Sequence, residues 1–360
     1  MSAPYTEPRI DKYLRDRLMP VEGAIPHIPG IEMYGRSLPA GSVGGDLFEY
    51  INFQQRYDIT ARIQRALDLS REYLKPLPAD GRPRNSVDEH VAWLRSRPGF
   101  QPSYETAYRE ARSSEQIRVA EDLAGLESIA GVLLVDGEGH GIISAKIAST
   151  VHDTFHALML TELDQHGRTT PELFERLNLR LAKSVTARNA LGVNDPDVAR
   201  EVATMIYGEI HVSGRFRFVN FGHPAPLVFS ARTQTFTPMG EGPMLQFPPL
   251  GLEIPEDHPD RNLYLSTVFR QKETDSSDFA DIQLMNPGDI LFLYTDGVYD
   301  GTDRAERTVL EALLRECSKG SAKEICDALM KYAKERDAHL LAAGERDRID
   351  DKTVFIIKRN

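Results

Sequence analysis

Cysteine is scarce in this chain: Cys317 and Cys326 are the only two in 360 residues, and they form no CxxC pair. A disulfide framework is thereby excluded, and two free thiols in a stretch that reads as helical suit a reducing compartment. Long apolar runs are missing as well. The longest, IAGVLLV at 129–135 and ILFLY at 290–294, have strand length, well short of the roughly 20 residues of a membrane-spanning helix. Residues 1–20, MSAPYTEPRIDKYLRDRLMP, carry charge where a secretion signal needs an apolar centre. Basic charge is in deficit: 43 Lys and Arg against 54 Asp and Glu leave a net charge of -11, the opposite of a nucleic-acid footprint. Internal repeats and Walker-type phosphate loops are absent too. The expectation is a cytoplasmic protein with neither nucleic acid nor membrane as partner.

What is there is an ordinary globular composition, 41% hydrophobic and 27% charged, with room for one large domain or two modest ones. IDKYLRDRLMP (10–20) reads as a short helix stopped by Pro20, and a turn-rich passage to Gly30 follows. β-type runs occupy 31–39 and 46–53. From 54 to about 127 the text turns polar and helix-favouring, broken by PLPADGRPRNS. Its apolar positions are sparse, so it reads as a helical insertion rather than a separate globular domain. β-signal returns at 128–137. A long helix follows His140-Gly141, and a second one starts with Thr170 as N-cap and Pro171 as first helical residue. Strand runs at 203–212 and 215–222 flank the hairpin signal Ser213-Gly214, and PLVFSA (226–231) adds another. Residues 253–278 are polar and irregular. A buried strand ends in a turn over 289–300, two helical stretches cover 303–316 and 321–338, and a last strand spans 353–359. Strand runs bracketing paired helices, without regular βαβ alternation, predict a mostly antiparallel α+β fold.

The acids sit at the ends of these strands. Asp46 follows Gly44-Gly45 at the head of DLFEYINF, and Asp136 ends AGVLLV beside Gly137. Asp296 ends ILFLYT beside Gly297, and Asp350-Asp351 precede TVFII. Gathered carboxylates repel one another and hold their protons more tightly. A divalent cation resolves that conflict, and hard oxygen ligands suit Mg²⁺ or Mn²⁺. Two such ions roughly 3.5–4 Å apart can activate a water for in-line attack on phosphorus. Any one Asp-Gly is equally well a common turn dipeptide; the pattern rests on the set.

Taken in order, IPGIEMYGRSLPAGSVGGDLFEY, VLLVDGEGHG, VNFGHPAPLVF, LFLYTDGVYDG and DDKTVFIIK resemble the bacterial PPM (PP2C-type) serine/threonine phosphatases, in the stress-response and sporulation branch. The resemblance covers most of the chain except roughly 54–127. It implies an αββα sandwich of two mainly antiparallel sheets flanked by helices. An N-terminal helix and linker (1–30) would precede a phosphatase domain over 31–360, interrupted by the helical insertion. It implies two Mn²⁺ or Mg²⁺ ions, with Asp136 as the bridging acid, Gly137 lending its carbonyl, and Asp46, Asp296 and Asp350 as further ligands. Asp351 is the neighbour that competes with Asp350 for that role, and Asp300 matches, more loosely, a ligand of a third ion. The implied activity is direct hydrolysis of phosphoserine or phosphothreonine on a signalling protein, such as an anti-sigma-factor antagonist. Neither cysteine is needed as nucleophile. Homodimerisation through the helix near 10–20, or docking of a regulatory protein there or on the insertion, belongs to the same expectation.

The same text admits other readings. A non-catalytic binding module of the same fold would have been marked by lost acids, and a hydrolase of small phosphoesters would keep them. VGGDLFEY is one letter from the GGDEF signature of diguanylate cyclases, but Leu47 stands where a second acid is required and too little chain precedes it. After the bridging acid the text is Asp136-Gly137-Glu138-Gly139-His140-Gly141, a departure from the usual Asp-x-Ser-Gly-Lys-Gly. The insertion either controls access to the metal edge or docks a partner, or it is a tolerated surface element. His223 in NFGHPAPL reads mainly as part of a structural turn. His152-Asp-Thr-Phe-His156 puts two imidazoles on one helix face, as in HExxH zinc sites. With Asp in place of Glu and no third ligand evident, the pair reads as ordinary helix histidines.

Overall fold

The computed structural model describes residues 25–41, 43–139, 141–190, 202–237, 246–252, 280–284, 286–299 and 303–360. The helix expected at 10–20, the irregular stretch at 253–278 and Asp300 lie outside the described residues.

Two compact units divide the chain. The first, built from residues 1–52, 128–156 and 174–360, holds both sheets. One sheet has the order β1-β11-β10-β6-β7, from β1 (Ile31–Leu38), β6 (Leu227–Ser230), β7 (Thr235–Phe236), β10 (Ile290–Tyr294) and β11 (Lys352–Arg359). The other has the order β2-β3-β4-β5-β8, from β2 (Asp46–Ile51), β3 (Ile129–Gly137), β4 (Ala203–His211), β5 (Arg215–Phe221) and β8 (Gln246–Phe247). β9 (Ala280–Gln283) also pairs with β5. Among the described residues, every pairing between these strands is antiparallel except β5 with β8. The expected α+β architecture of two antiparallel sheets with flanking helices is therefore the one observed.

Strand alternation explains the layering. Phe48 and Tyr50 of β2, Val132 and Leu134 of β3, Leu291 and Leu293 of β10, and Phe355 and Ile357 of β11 fill one core cluster drawn from both sheets. The rings of Phe48, Tyr50 and Phe355 meet there with centroids 5.1–5.8 Å apart. The alternate residues of β10 and β11, Phe292, Tyr294, Val354 and Ile356, pack instead with Leu310 and Leu314 of α7 (Arg304–Cys317) and Ile325 and Leu329 of α8 (Ala322–Ala343). On the other sheet, Phe155 of α5 (Ile142–His166) and Phe174 of α6 (Pro171–Ala190) lie 5.0 and 5.6 Å from Tyr207 of β4.

Local signals set the boundaries. Asp303 caps α7 by accepting from the amides of Ala305 and Glu306, and Ser321 and Glu324 form a capping box on α8. Gly214, at φ 83°, closes the β4–β5 hairpin at the expected turn. α6 begins at Pro171 as expected, and the Thr170 hydroxyl before it donates to Glu162.

The second unit comprises residues 53–127 and 157–173. It contains α1 (Phe53–Tyr57), α2 (Ile59–Tyr73), α3 (Ser86–Arg95) and α4 (Pro102–Gly125). A small core of Tyr73, Val87 and Val91, flanked by Leu69, Leu77 and Tyr108, lies within it.

Candidate metal centre

β2 and β3 run in register so that Asp46 at the head of one lies opposite Asp136 near the end of the other. Both carboxylates are thereby delivered to the same end of one sheet. Asp296 and Asp350 follow β10 and precede β11, adjacent antiparallel strands of the other sheet. Asp46 is buried, Asp136 half-buried, and Asp296 and Asp350 are exposed.

The two sheets are tied together at Asp46. Its Oδ2 accepts from Thr295 Oγ1 at 2.7 Å and from Thr353 Oγ1 at 2.8 Å, both from the opposite sheet. Its Oδ1 is buried and has no hydrogen-bond partner. A buried carboxylate oxygen without a partner costs on the order of 1–3 kcal/mol or more, so this orphaned atom needs a cation or a proton. Burial pushes the Asp46 carboxyl well above the usual carboxylate range; the two threonine hydroxyls oppose the rise, and Asp351 and Asp296 add to it. Asp136 is raised too, first by burial and then by the charges of Asp46, Asp296, Asp350 and Asp351. That is the electrostatic conflict expected of carboxylates assembled to hold divalent metal. The donors are not packed into a single-ion cage: among the described residues, no three of these acids bring ligand atoms within 4.8 Å of one another.

The glycines serve clearance rather than an unusual backbone turn. Neither Gly44 nor Gly45 has positive φ. A Cβ on Gly45 would lie 1.4 Å from Ser144 Oγ, and one on Gly297 would lie 1.9 Å from the Asp351 carbonyl oxygen. Ser144, in the first turn of α5, uses the space to donate to the Gly137 carbonyl at 2.8 Å. That carbonyl keeps a second lone pair for another partner.

Asp350 and Asp351 part company. Asp351 accepts from the amides of Ala40 at 2.6 Å and Gly45 at 2.5 Å, one with each oxygen. It is a latch on the loop that delivers Asp46, and its oxygens are committed to that task. Asp350 stays exposed, with Oδ1 accepting from the Asp351 amide at 2.8 Å. His223 is fully buried; burial pushes its imidazole down to about 3, against a hydrogen bond with the Tyr294 backbone. Its Nδ1 meets Thr204 Oγ1 at 2.9 Å while Asn220 brackets its backbone. It is a neutral structural residue of the turn, as its prolines suggest.

Sequence reasoning missed the supporting residues. Thr295 and Thr353 stand in plain sight in YTDG and DDKT, and hydroxyls beside strand-end acids are the signal that had been there to read. Arg336 gave no signal. It reaches from α8 to donate to the carbonyls of Gly297 and Val298, fixing the turn that carries Asp296, and pairs with Glu306 at 2.8 Å. Lys352, buried at the head of β11, spans the Asp350 carbonyl at 2.5 Å and Asp337 at 2.6 Å.

A family model described as Stage II sporulation protein E (SpoIIE) matches residues 129–267 and 280–360. Similar solved structures include the RsbU and RsbW domains of Rv1364c from Mycobacterium tuberculosis, at 17% identity and TM-score 0.48, covering 94% of this chain and 64% of that one. The PP2C phosphatase domain of SpoIIE from Bacillus subtilis, with a fragment of its regulatory domain, is 12% identical at TM-score 0.46, covering 91% of this chain and 61% of that one. The SiaA-PP2C domain of Pseudomonas aeruginosa is 11% identical at TM-score 0.49, covering 98% and 94%. This chain thus spans less than two thirds of the first two chains. No curated protein matches it. No helix among the described residues is long and apolar enough to cross a membrane.

Proposed function

Because the chain belongs to the SpoIIE family of PP2C-type phosphatase domains, we propose that it is a metal-dependent protein-serine/threonine phosphatase. Its substrate would be phosphoserine or phosphothreonine on a signalling protein, with an anti-sigma-factor antagonist as the class its resemblance suggests. The observation that carries this reading is the orphaned, buried Oδ1 of Asp46, opposite Asp136 and within electrostatic reach of Asp296. In this reading Asp46, Asp136, Asp296, Asp350 and the Gly137 carbonyl would hold two Mn²⁺ or Mg²⁺ ions. Such ions supply positive charge to offset the phosphoryl oxygens and lower the pKa of an attacking water.

The chain's own residues prepare that arrangement. Thr295 and Thr353 hold Asp46 Oδ2, which leaves Oδ1 as the free donor. Ser144 orients the Gly137 carbonyl, Asp351 pins the loop before Asp46, and Arg336 fixes the turn carrying Asp296. A phosphocysteine route is disfavoured by burial, which pushes the Cys326 thiol up to about 12 and raises Cys317 as well. A cytoplasmic location and a regulatory protein partner complete the reading.

Hydrolysis of an aryl phosphate with Mn²⁺, with chelator, and by Asp136→Asn tests it. Turnover should require Mn²⁺ and fall about 10²–10³-fold in the variant, the order of loss when a source of transition-state charge stabilisation is removed. A folded protein that neither turns over nor binds Mn²⁺ would make the chain a binding module instead. A phosphopeptide competing poorly against the aryl ester would point to a small-ester hydrolase.

A further inference from the structure

The two histidines set aside in the sequence have a carboxylate beside them. Glu49 Oε2 lies 2.8 Å from His152 Nε2 and 2.6 Å from His156 Nε2. Among the described residues this is the one group of three such side chains whose ligand atoms all fall within 4.8 Å. We propose that Glu49, His152 and His156 form a second metal site, selective for a divalent transition metal such as Zn²⁺ and separate from the carboxylate edge.

The donor set argues for the metal class. Two imidazole nitrogens and one carboxylate oxygen are borderline ligands that suit Zn²⁺ and its first-row neighbours far better than Mg²⁺. Three protein ligands leave a fourth tetrahedral position for water or another small donor. With metal–ligand bonds of about 2.0–2.1 Å, tetrahedral donors stand about 3.3 Å apart. The present spacings of 2.8 and 2.6 Å therefore need to open by about 0.5 and 0.7 Å, a side-chain adjustment. The side chains are 18%, 16% and 10% exposed for Glu49, His152 and His156, enclosed but reachable by an ion. Asp153 Oδ1 sits 3.3 Å from His152 Nδ1, the position from which a carboxylate orients a ligating imidazole through its other nitrogen. Burial opposes ionisation of Glu49, yet the hydrogen bonds and charge of the two imidazoles hold its carboxyl well below the usual range, so it is an anionic donor at neutral pH.

The site is distinct in place. Glu49 is three residues beyond Asp46 on β2, hence about 10 Å along the strand and on the opposite face. His152 lies eight residues, or about 12 Å, along α5 from Ser144. A metal here clamps α5 to β2 and so steadies the helix whose first turn orients the Gly137 carbonyl. The site itself stands on the Glu49–His152–His156 geometry, whatever the carboxylate edge does.

The test is titration of the metal-stripped full chain with Co²⁺, in excess Mg²⁺ to fill hard oxygen sites and in an Asp136→Asn background. The expected result is one equivalent showing the strong visible absorption of four-coordinate cobalt, displaced by Zn²⁺. The signal should be lost in His152→Gln/His156→Gln and weakened about 10-fold in Asp153→Asn, since outer-shell partners contribute about 10–100-fold. X-ray absorption at the zinc edge of the unsubstituted protein, which needs no variant to fold, should show two imidazoles. Weak six-coordinate absorption, a cobalt signal that survives the double substitution, or oxygen-only scattering would each overturn the proposal and leave a hydrogen-bonded His–Glu–His cluster.

Discussion

Asp350 and Asp351 are chain neighbours with opposite surroundings, and that difference makes a sharp test at the residue scale. Asp350 is exposed, while Asp351 is buried and accepts two backbone amides. Asp350→Asn should change folding stability by no more than an ordinary surface substitution, about ±0.5 kcal/mol, while abolishing Mn²⁺-dependent turnover. Asp351→Asn should instead cost about 1–3 kcal/mol, because its new NH₂ group faces an amide that donates. Thermal melts paired with Mn²⁺ titration separate the two; a stability loss confined to Asp350→Asn would reverse the assignment. The sequence placed both acids at the strand head but had no means to say which one would be spent on the backbone. That depends on the Ala40–Gly45 loop arriving from more than 300 residues away in sequence. Glu49 was missed for another reason. Period-two alternation puts it on the same face as buried Leu47 and Ile51, and an acid on a buried face demands a partner. Carrying that demand across to α5 would have joined Glu49 to the two histidines already noted there.

At the scale of elements, the strands were legible and the supporting network was not. β1, β2, β3, β10 and β11 fall within a residue or two of the runs read from apolar alternation and turn residues. The two- to four-residue strands β7, β8 and β9 carry too few residues to show a period. Over 53–127 the sparse apolar text concealed a polar core. Arg109 is buried and donates to Asp88 at 2.8 Å, Glu105 at 3.0 Å and the Tyr73 carbonyl at 3.0 Å, while Arg84 also pairs with the fully buried Asp88. Such a network joins α2, α3 and α4 by charge where aliphatic residues are few. Removing one buried partner strands the other, at about 3–5 kcal/mol. Arg109→Met should therefore raise proteolytic cleavage within 53–127 sharply, while double replacement with Asp88→Asn recovers part of the loss. Equal protection in the single variant would show the network to be dispensable. Because residues 157–173 belong to the same compact unit, deleting 54–127 would break that unit, and point substitutions are the cleaner probe of what it does.

At the scale of the whole molecule, the like-charged carboxylates make the metal-free protein a poor match for neutral pH. Asp46 and Asp136 are raised above their ordinary value of 3.8 by burial and by neighbouring acids. Between that value and their raised ones, the folded state holds protons that the unfolded chain has released. Stability then falls as pH rises, by at most about 1.4 kcal/mol per pH unit for each group. His223 acts with the opposite sign: its imidazole is pushed down to about 3, so its contribution is present above the ordinary value of 6.5 and lost as pH falls. Glu49, held below its ordinary 4.5, likewise contributes only above that value. The window from pH 6.5 upward is thus free of both, leaving the raised carboxylates, with Asp351, raised chiefly by burial, acting in the same sense as the pair. Chelator-treated protein should lose melting temperature steadily over pH 6.5–8.5, and Asp46→Asn/Asp136→Asn should flatten the slope. Mn²⁺ binds the ionised folded form and stabilises it by mass action, so its shift in melting temperature should grow with pH and vanish in the double variant. A metal-free protein whose stability is flat across that window, or a Mn²⁺ shift indifferent to both acids, would mean that Asp46 and Asp136 already resolve their repulsion without an ion. The orphaned Oδ1 would then be held by a proton, and the metal would have no electrostatic work to do there.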